Sequence, residues 1–191
     1  MSLETQPQVP SRIPSGATAD GDGIVIGSGP VRVDAFIDFL CPFCRQFEEH
    51  SGPTLKRMVH DEVINLVYHP LAFLDRLSTT AYSSRASSAS GCASDGGAFA
   101  EYKDALFANQ PPEGGSGLSD EELGALGPVA GLSDEGFARC VVGAQYIEWT
   151  AYVTARAIEL GVQGTPTVLV GGVTVPADAA QIAAAVADLA P

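Results

Sequence analysis

The stretch Val31-Arg32-Val33-Asp34-Ala35-Phe36-Ile37-Asp38-Phe39-Leu40-Cys41-Pro42-Phe43-Cys44-Arg45-Gln46-Phe47-Glu48-Glu49-His50 decides how this chain folds. Its first ten residues read as a strand and its last six as the opening turns of a helix. Between them stand two thiols, Cys41 and Cys44, separated only by Pro42 and Phe43. Thiols at this spacing can close a small disulfide ring. At the mouth of a helix, Cys41 would lie beside unpaired backbone N–H groups and the positive end of the helix dipole, which favour thiolate over thiol. Such a pair reads as a redox centre.

Upstream, Gly23-Ile24-Val25-Ile26-Gly27 is a short β run, and Ser28-Gly29-Pro30 is turn punctuation. A hairpin between this run and Val31–Phe39 is the expected arrangement. Downstream, a helix is predicted from Pro42 to about Val59, with proline in its first turn, where a missing N–H costs little. A strand over Val63–His69 ends at Pro70, giving β-α-β with a right-handed crossover if the strands are parallel.

From Ser78 to Leu160 the β character vanishes. Helices are predicted over Ser78–Ser90 and Phe99–Phe107, after the caps at Ser119 and Ser133-Asp134, and over Gln145–Leu160; Pro111–Gly117 is a loop. Strands return at Thr167–Val170 and Val173–Val175, and Asp178–Leu189 closes the chain as a helix. The division is therefore 1–22 a flexible N-terminal tether, 23–76 the first half of an α/β domain, 77–160 a helical insertion, and 161–191 the second half. Phe47, Trp149 and Tyr152 are expected in the core rather than at a contact surface.

With 191 residues and 46% hydrophobic side chains the chain is long enough for one core fold with a sizeable insertion. A formal net charge of −13 argues against nucleic acid and against anionic membranes, both of which require a basic surface. The two other cysteines, Cys92 and Cys140, are distant from each other and suggest a stabilising bridge, which persists mainly outside the reducing cytosol. The first residues, Met1-Ser2-Leu3-Glu4-Thr5-Gln6-Pro7, carry no apolar leader segment, and no run is long and apolar enough to span a bilayer. The cysteines favour a mature chain whose leader or anchor is absent, working in the periplasm, the cell envelope or beyond.

A second motif, Gly164-Thr165-Pro166-Thr167, precedes the late strand. Proline belongs at the first residue or edge of a strand, and an X-Pro bond at such a bend is a place where a cis peptide is retained. The backbone of Thr165 would then be open to pair with an extended peptide.

The ordered set resembles the DsbA-like thiol:disulfide oxidoreductases of the thioredoxin superfamily over roughly residues 24–190. It is carried by Phe36–Cys44, by His69-Pro70-Leu71-Ala72-Phe73-Leu74 after a strand, by the Phe99–Phe107 helix and by Gly161–Thr167. The resemblance implies a thioredoxin-like α/β fold, a central mixed β-sheet flanked by helices with an all-helical insertion. It implies Cys41 as exposed nucleophile and Cys44 as buried partner, with Pro42, Phe43, Thr165 and a cis Pro166 lining the substrate site. The redox-active Cys41–Cys44 disulfide would serve in place of any cofactor. The partners implied are reduced or unfolded secreted proteins as substrates and a membrane-bound reoxidising protein; nothing in the sequence demands more than a monomer. A bridge between Cys92 and Cys140 is expected inside the helical block.

Two departures from the family pattern stand out. Strong oxidants of the family place His between the cysteines, whereas Phe43 can supply neither charge nor hydrogen bond, so a less depressed Cys41 pKa is expected. Many relatives hold a buried acid six residues before the first cysteine; here that residue is Ala35. Asp38 lies on the opposite strand parity and reads equally well as an ordinary strand-end polar residue.

Oxidase ranks first, reductase second and isomerase third, since the residues ahead of the first strand are too few for the dimerisation domain that isomerases of this core carry. A non-catalytic binding module would be expected to have lost a thiol. Metal binding would need a second CxxC or a spaced His pair; His50, His60 and His69 are dispersed, and no metal is expected.

Overall fold

The computed structural model describes residues 7–190. Five strands form one mixed sheet: β1 (Ile24–Ile26), β2 (Val31–Ile37), β3 (Ile64–Pro70), β4 (Thr167–Val170) and β5 (Val173–Val175), in the order β1-β3-β2-β4-β5. β2 and β3 run parallel, with Val31 opposite Ile64 and Ile37 opposite Pro70, and the other pairs are antiparallel. The crossover between β2 and β3 is α1 (Pro42–His60). It carries Cys44, Phe47 and Leu55 inward at helical spacing.

Five helices follow with no strand between them: α2 (Tyr82–Asp95), α3 (Phe99–Ala108), α4 (Asp120–Ala125), α5 (Glu135–Val142) and α6 (Ile147–Glu159). Ser119 caps α4 in a reciprocal capping box with Glu122, and Asp134 caps α5 through the Phe137 N–H. The last helix, α7 (Ala179–Leu189), packs on α1, β4 and β5. This is the thioredoxin-like α/β arrangement. Trp149 and Leu106 are wholly buried and Phe47 and Tyr152 nearly so, within one continuous apolar core. Cys92 on α2 and Cys140 on α5 are joined by a disulfide with Cα atoms 5.9 Å apart.

Two sequence expectations are corrected. β1 does not form a hairpin with β2; it pairs with β3, Ile24 opposite Tyr68 and Ile26 opposite Leu66. The reason lies in the connection. Gly29 passes so close over the start of β3 that a Cβ there would stand 2.3 Å from the backbone of Val63 and Ile64. The chain therefore crosses β3 and leaves β1 on its far side.

The flexible tether is the second correction. Residues 1–6 lie outside the described residues, but from Arg12 onward the segment is docked. Trp149 donates to the Gly21 carbonyl at 2.7 Å, Tyr152 to the Asp20 carbonyl at 2.8 Å, and the Ser15 N–H to Asp95 at 2.9 Å. Residues 16–18 also lie along β1 through an Ala17–Ile24 bridge and the Val25 N–H to Gly16 bond. The attachment runs largely through hydrogen bonds to the segment's backbone, with buried Pro14 and half-buried Ala17 as its apolar contacts, so hydropathy carries little trace of it.

Candidate active site

The redox loop begins where β2 ends. The Asp38 carbonyl accepts from the Cys41 N–H at 3.0 Å, turning the chain so that Cys41 becomes the N-cap of α1 with Pro42 behind it. No side chain caps this helix and no acid sits in its first turn, so its free N–H groups face the sulfur alone. The two thiols are unbridged. Cys44 is wholly buried. Cys41, expected to be exposed, retains only 4% of its surface. It is reached from a groove rather than standing proud, because the Gly164–Thr165 bend covers it.

The environments of the two sulfurs differ in sign. The Cys41 thiol is pulled down to about 6, first by a hydrogen bond with Cys44, against its own burial, and with help from the Cys44 and Phe43 backbone N–H groups. Burial, reinforced by the neighbouring Cys41 charge, pushes Cys44 well above the ordinary thiol range. One sulfur is thus held as nucleophile and the other as a proton-bearing partner. Phe43 takes no part by its side chain, which is 66% exposed.

The Thr165-Pro166 bond is cis, and the Cys41 thiol donates to the Thr165 carbonyl at 3.3 Å. Beside them opens a groove of about 640 Å³ with Phe73, Leu74, Ile158 and Val162 along its walls and Arg76 and Glu113 at charged positions. Cys41, Pro42, Phe43 and Thr165 line the same groove. Pro166 borders a second hollow on the other side of Phe43, with Gln46 and His50. The two motifs, far apart in sequence, therefore meet where Cys41 bonds Thr165, with Pro166 beyond Phe43.

Asp38 is a functional candidate that strand parity obscured. It follows the last residue of β2, and there the chain turns, so alternation no longer says which way its side chain points. The residue is wholly buried. Its carboxylate accepts from the Leu40 N–H at 2.9 Å, the Leu74 N–H at 3.0 Å and the Ser83 hydroxyl at 2.7 Å. Its backbone N–H donates to the Cys44 sulfur at 3.4 Å. Burial raises the carboxyl to about 6 against these three donors, with a smaller push from the Cys41 charge. Ala35, by contrast, is ordinary buried strand.

Two further buried polar clusters escaped the sequence reading. His69, at the end of β3, is buried: it stacks on Phe36 and its ring nitrogens meet the Asp22 carbonyl at 2.6 Å and the Asp34 carboxylate at 2.8 Å. Arg32 completes the pair by a forked contact with Asp34. Lys103 on α3, only 1% exposed, bonds Glu48 of α1 at 2.5 Å and Asp104 at 2.8 Å. His50 and His60 stand exposed on α1. Among the described residues no group of three His, Cys, Asp or Glu side chains is placed to hold a metal ion.

Comparison with known proteins agrees with this geometry. A family model described as thioredoxin matches residues 19–188. The solved structure of the reduced disulfide bond oxidoreductase DsbG from Mycobacterium tuberculosis superposes with a TM-score of 0.72 at 32% identity, covering 81% of this chain and 80% of that one. Reduced DsbA from the same organism gives 0.71 at 31% identity, covering 80% and 84%. Among curated sequences, the serine/threonine-protein kinase PknE of Mycobacterium tuberculosis is 34% identical over 119 residues, which are 58% of this chain and 21% of the kinase. The chain thus spans about a fifth of that relative's length.

Proposed function

This chain belongs to the thioredoxin family, among its DsbA-like thiol:disulfide oxidoreductases, and on that premise we propose that it is an oxidase that places disulfides in secreted proteins outside the cytosol. The observation that carries the direction is the unequal pair of sulfurs. A stabilised Cys41 thiolate favours the reduced pair, and a stable reduced pair makes the disulfide a better oxidant. The Cys92–Cys140 bridge supports a working place where disulfides persist. Among the described residues no helix is long and apolar enough to cross a membrane.

In the cycle, a client thiolate attacks Cys41 Sγ of the oxidised pair. The Cys41–Cys44 bond breaks, and Cys44 leaves with the electron pair and takes up a proton, for which Asp38 is the nearest buried acid of the loop. A second client thiolate then attacks the client sulfur of the mixed disulfide and Cys41 departs as thiolate. Two client thiols become one disulfide, and two electrons pass to Cys41 and Cys44. The client strand lies along the Thr165 carbonyl with neighbouring apolar residues in the groove. A membrane-bound oxidant restores the pair, and the redox-active disulfide serves without a separate cofactor.

The test is the equilibrium of Cys41/Cys44 with glutathione. A potential above roughly −200 mV is expected; one at or below roughly −270 mV, in the range of thioredoxins, would make the protein a reductase.

A further inference from the structure

One side-chain amide of the helical block bonds the backbone on both sides of Leu40 in the redox loop. Gln110 stands just beyond Asn109, the C-cap of α3, and Pro111-Pro112 after it fix the backbone at that point. The Gln110 side-chain amide donates to the Phe39 carbonyl at 2.9 Å and to the Cys41 carbonyl at 3.0 Å. Both partners are acceptors, so the orientation of the amide is fixed and both its hydrogens are used. The Cys41 carbonyl also accepts from the N–H groups of Cys44 at 3.1 Å and Arg45 at 3.3 Å. Three donors therefore converge on the oxygen nearest in the chain to the attacking sulfur. Phe39 and Phe107 make an aromatic contact 5.2 Å apart in the same seam, an apolar support that uses no polar group.

From this arrangement we propose that Gln110 is a positioning residue for thiol exchange: its amide clamps the Phe39–Cys41 turn and holds the Cys41 sulfur over the open end of α1. It touches neither client nor sulfur and acts through the backbone of the nucleophile. Two carbonyls aimed at one point can be satisfied by a primary amide or a cation; a carboxylate or a thioether leaves both facing a group that cannot donate. With the clamp gone, the carbonyl dipole beside Cys41 is less neutralised and the turn is free to carry the sulfur off the helix axis. Both changes disfavour the thiolate.

This inference rests on Cys41 being the attacking thiolate, and its experiment separates the two. The ultraviolet thiolate titration of the reduced, full-length protein is compared with that of Gln110→Met, which keeps the length without donors, and Gln110→Glu, which keeps the shape with acceptors. Both variants are expected to titrate Cys41 higher by roughly half a unit to one unit, slowing alkylation below the midpoint roughly threefold to tenfold. Phe107→Leu loosens the same seam without touching the amide; it is expected to lower the melting temperature and leave the titration in place. Should Gln110→Met fold poorly, Gln110→Ala carries the same comparison. The inference is overturned if the Met, Ala and Glu variants titrate with the parent, or if Phe107→Leu moves the midpoint as far as they do. A parent in which Cys41 does not titrate ahead of Cys44 overturns the thiolate reading and the clamp with it.

Discussion

Cys41 and Thr165, 124 residues apart in sequence, meet through a 3.3 Å hydrogen bond from thiol to carbonyl, so the sulfur and the bend ahead of β4 are held as one unit. Loss of the Cys41 sulfur removes the member of the redox pair that lines the groove. Cys41→Ser is expected to abolish oxidation of a reduced client. Cys44→Ser offered a client that already holds a disulfide should be trapped: the Cys41 thiolate attacks one client sulfur, the other leaves as thiolate, and with no second thiol to resolve it the mixed disulfide accumulates as one added client mass.

Cys44 is also the foremost reason for the low Cys41 titration. Cys44→Ala is expected to raise the Cys41 midpoint from about 6 toward the ordinary value of 9.0, read by thiolate absorbance. A midpoint unmoved by this change would assign the depression to the helix end instead.

The same titration links redox state to stability. The Cys41 pKa is lower folded than unfolded, so thiolate formation stabilises the reduced protein fully above about 9 and is lost as pH falls through about 6. Oxidised protein has no such group. Melting temperatures of the two states are expected to diverge in favour of the reduced protein as pH rises across this window.

Asp38 runs the other way. Its carboxyl is raised from 3.8 to about 6, so its contribution is fully present below about pH 4 and is lost as pH rises through about 6, a swing of about 3 kcal/mol. The stability of oxidised parent relative to oxidised Asp38→Asn is expected to fall over that interval, followed by denaturant unfolding. A flat difference would mean that Asp38 does not titrate there.

Lys103 and Glu48 form an ion pair with both side chains buried, 1% and 7% exposed. Removing one partner strands the other charge away from water. Lys103→Met is expected to destabilise by roughly 3–5 kcal/mol, and adding Glu48→Gln should recover much of it. Breaking the Cys92–Cys140 bridge frees a 48-residue loop in the unfolded chain, a loss of roughly 4 kcal/mol in chain-entropy terms, measurable by denaturation of the Cys92→Ala/Cys140→Ala double variant.

What the amino-acid order disclosed was local. Apolar alternation, Pro42 at a helix start, the Ser119 and Asp134 caps and the two motifs each depend on near neighbours, and the elements they foretold lie close to their expected bounds. The partner of β1 depends on where a turn passes over a strand 35 residues later, which no local pattern encodes. The buried titratable side chains were hidden for a related reason. Lys103, His69 and Asp38 are polar residues that hydropathy assigns to the surface, and only the tertiary neighbours Glu48, Asp34 and Ser83 make their burial tolerable. Gln110 carries no signal in sequence beyond the two prolines after it.

The segment lying along β1 has a consequence for colloidal behaviour. A sheet polymerises by recruiting foreign strands at its margins, and residues 16–18 already occupy one of them. The remaining margin is β5, three residues long and followed at once by Pro176, which offers no amide hydrogen to continue a ladder. The described sheet thus presents almost no ledge on which a foreign strand can seed a fibril.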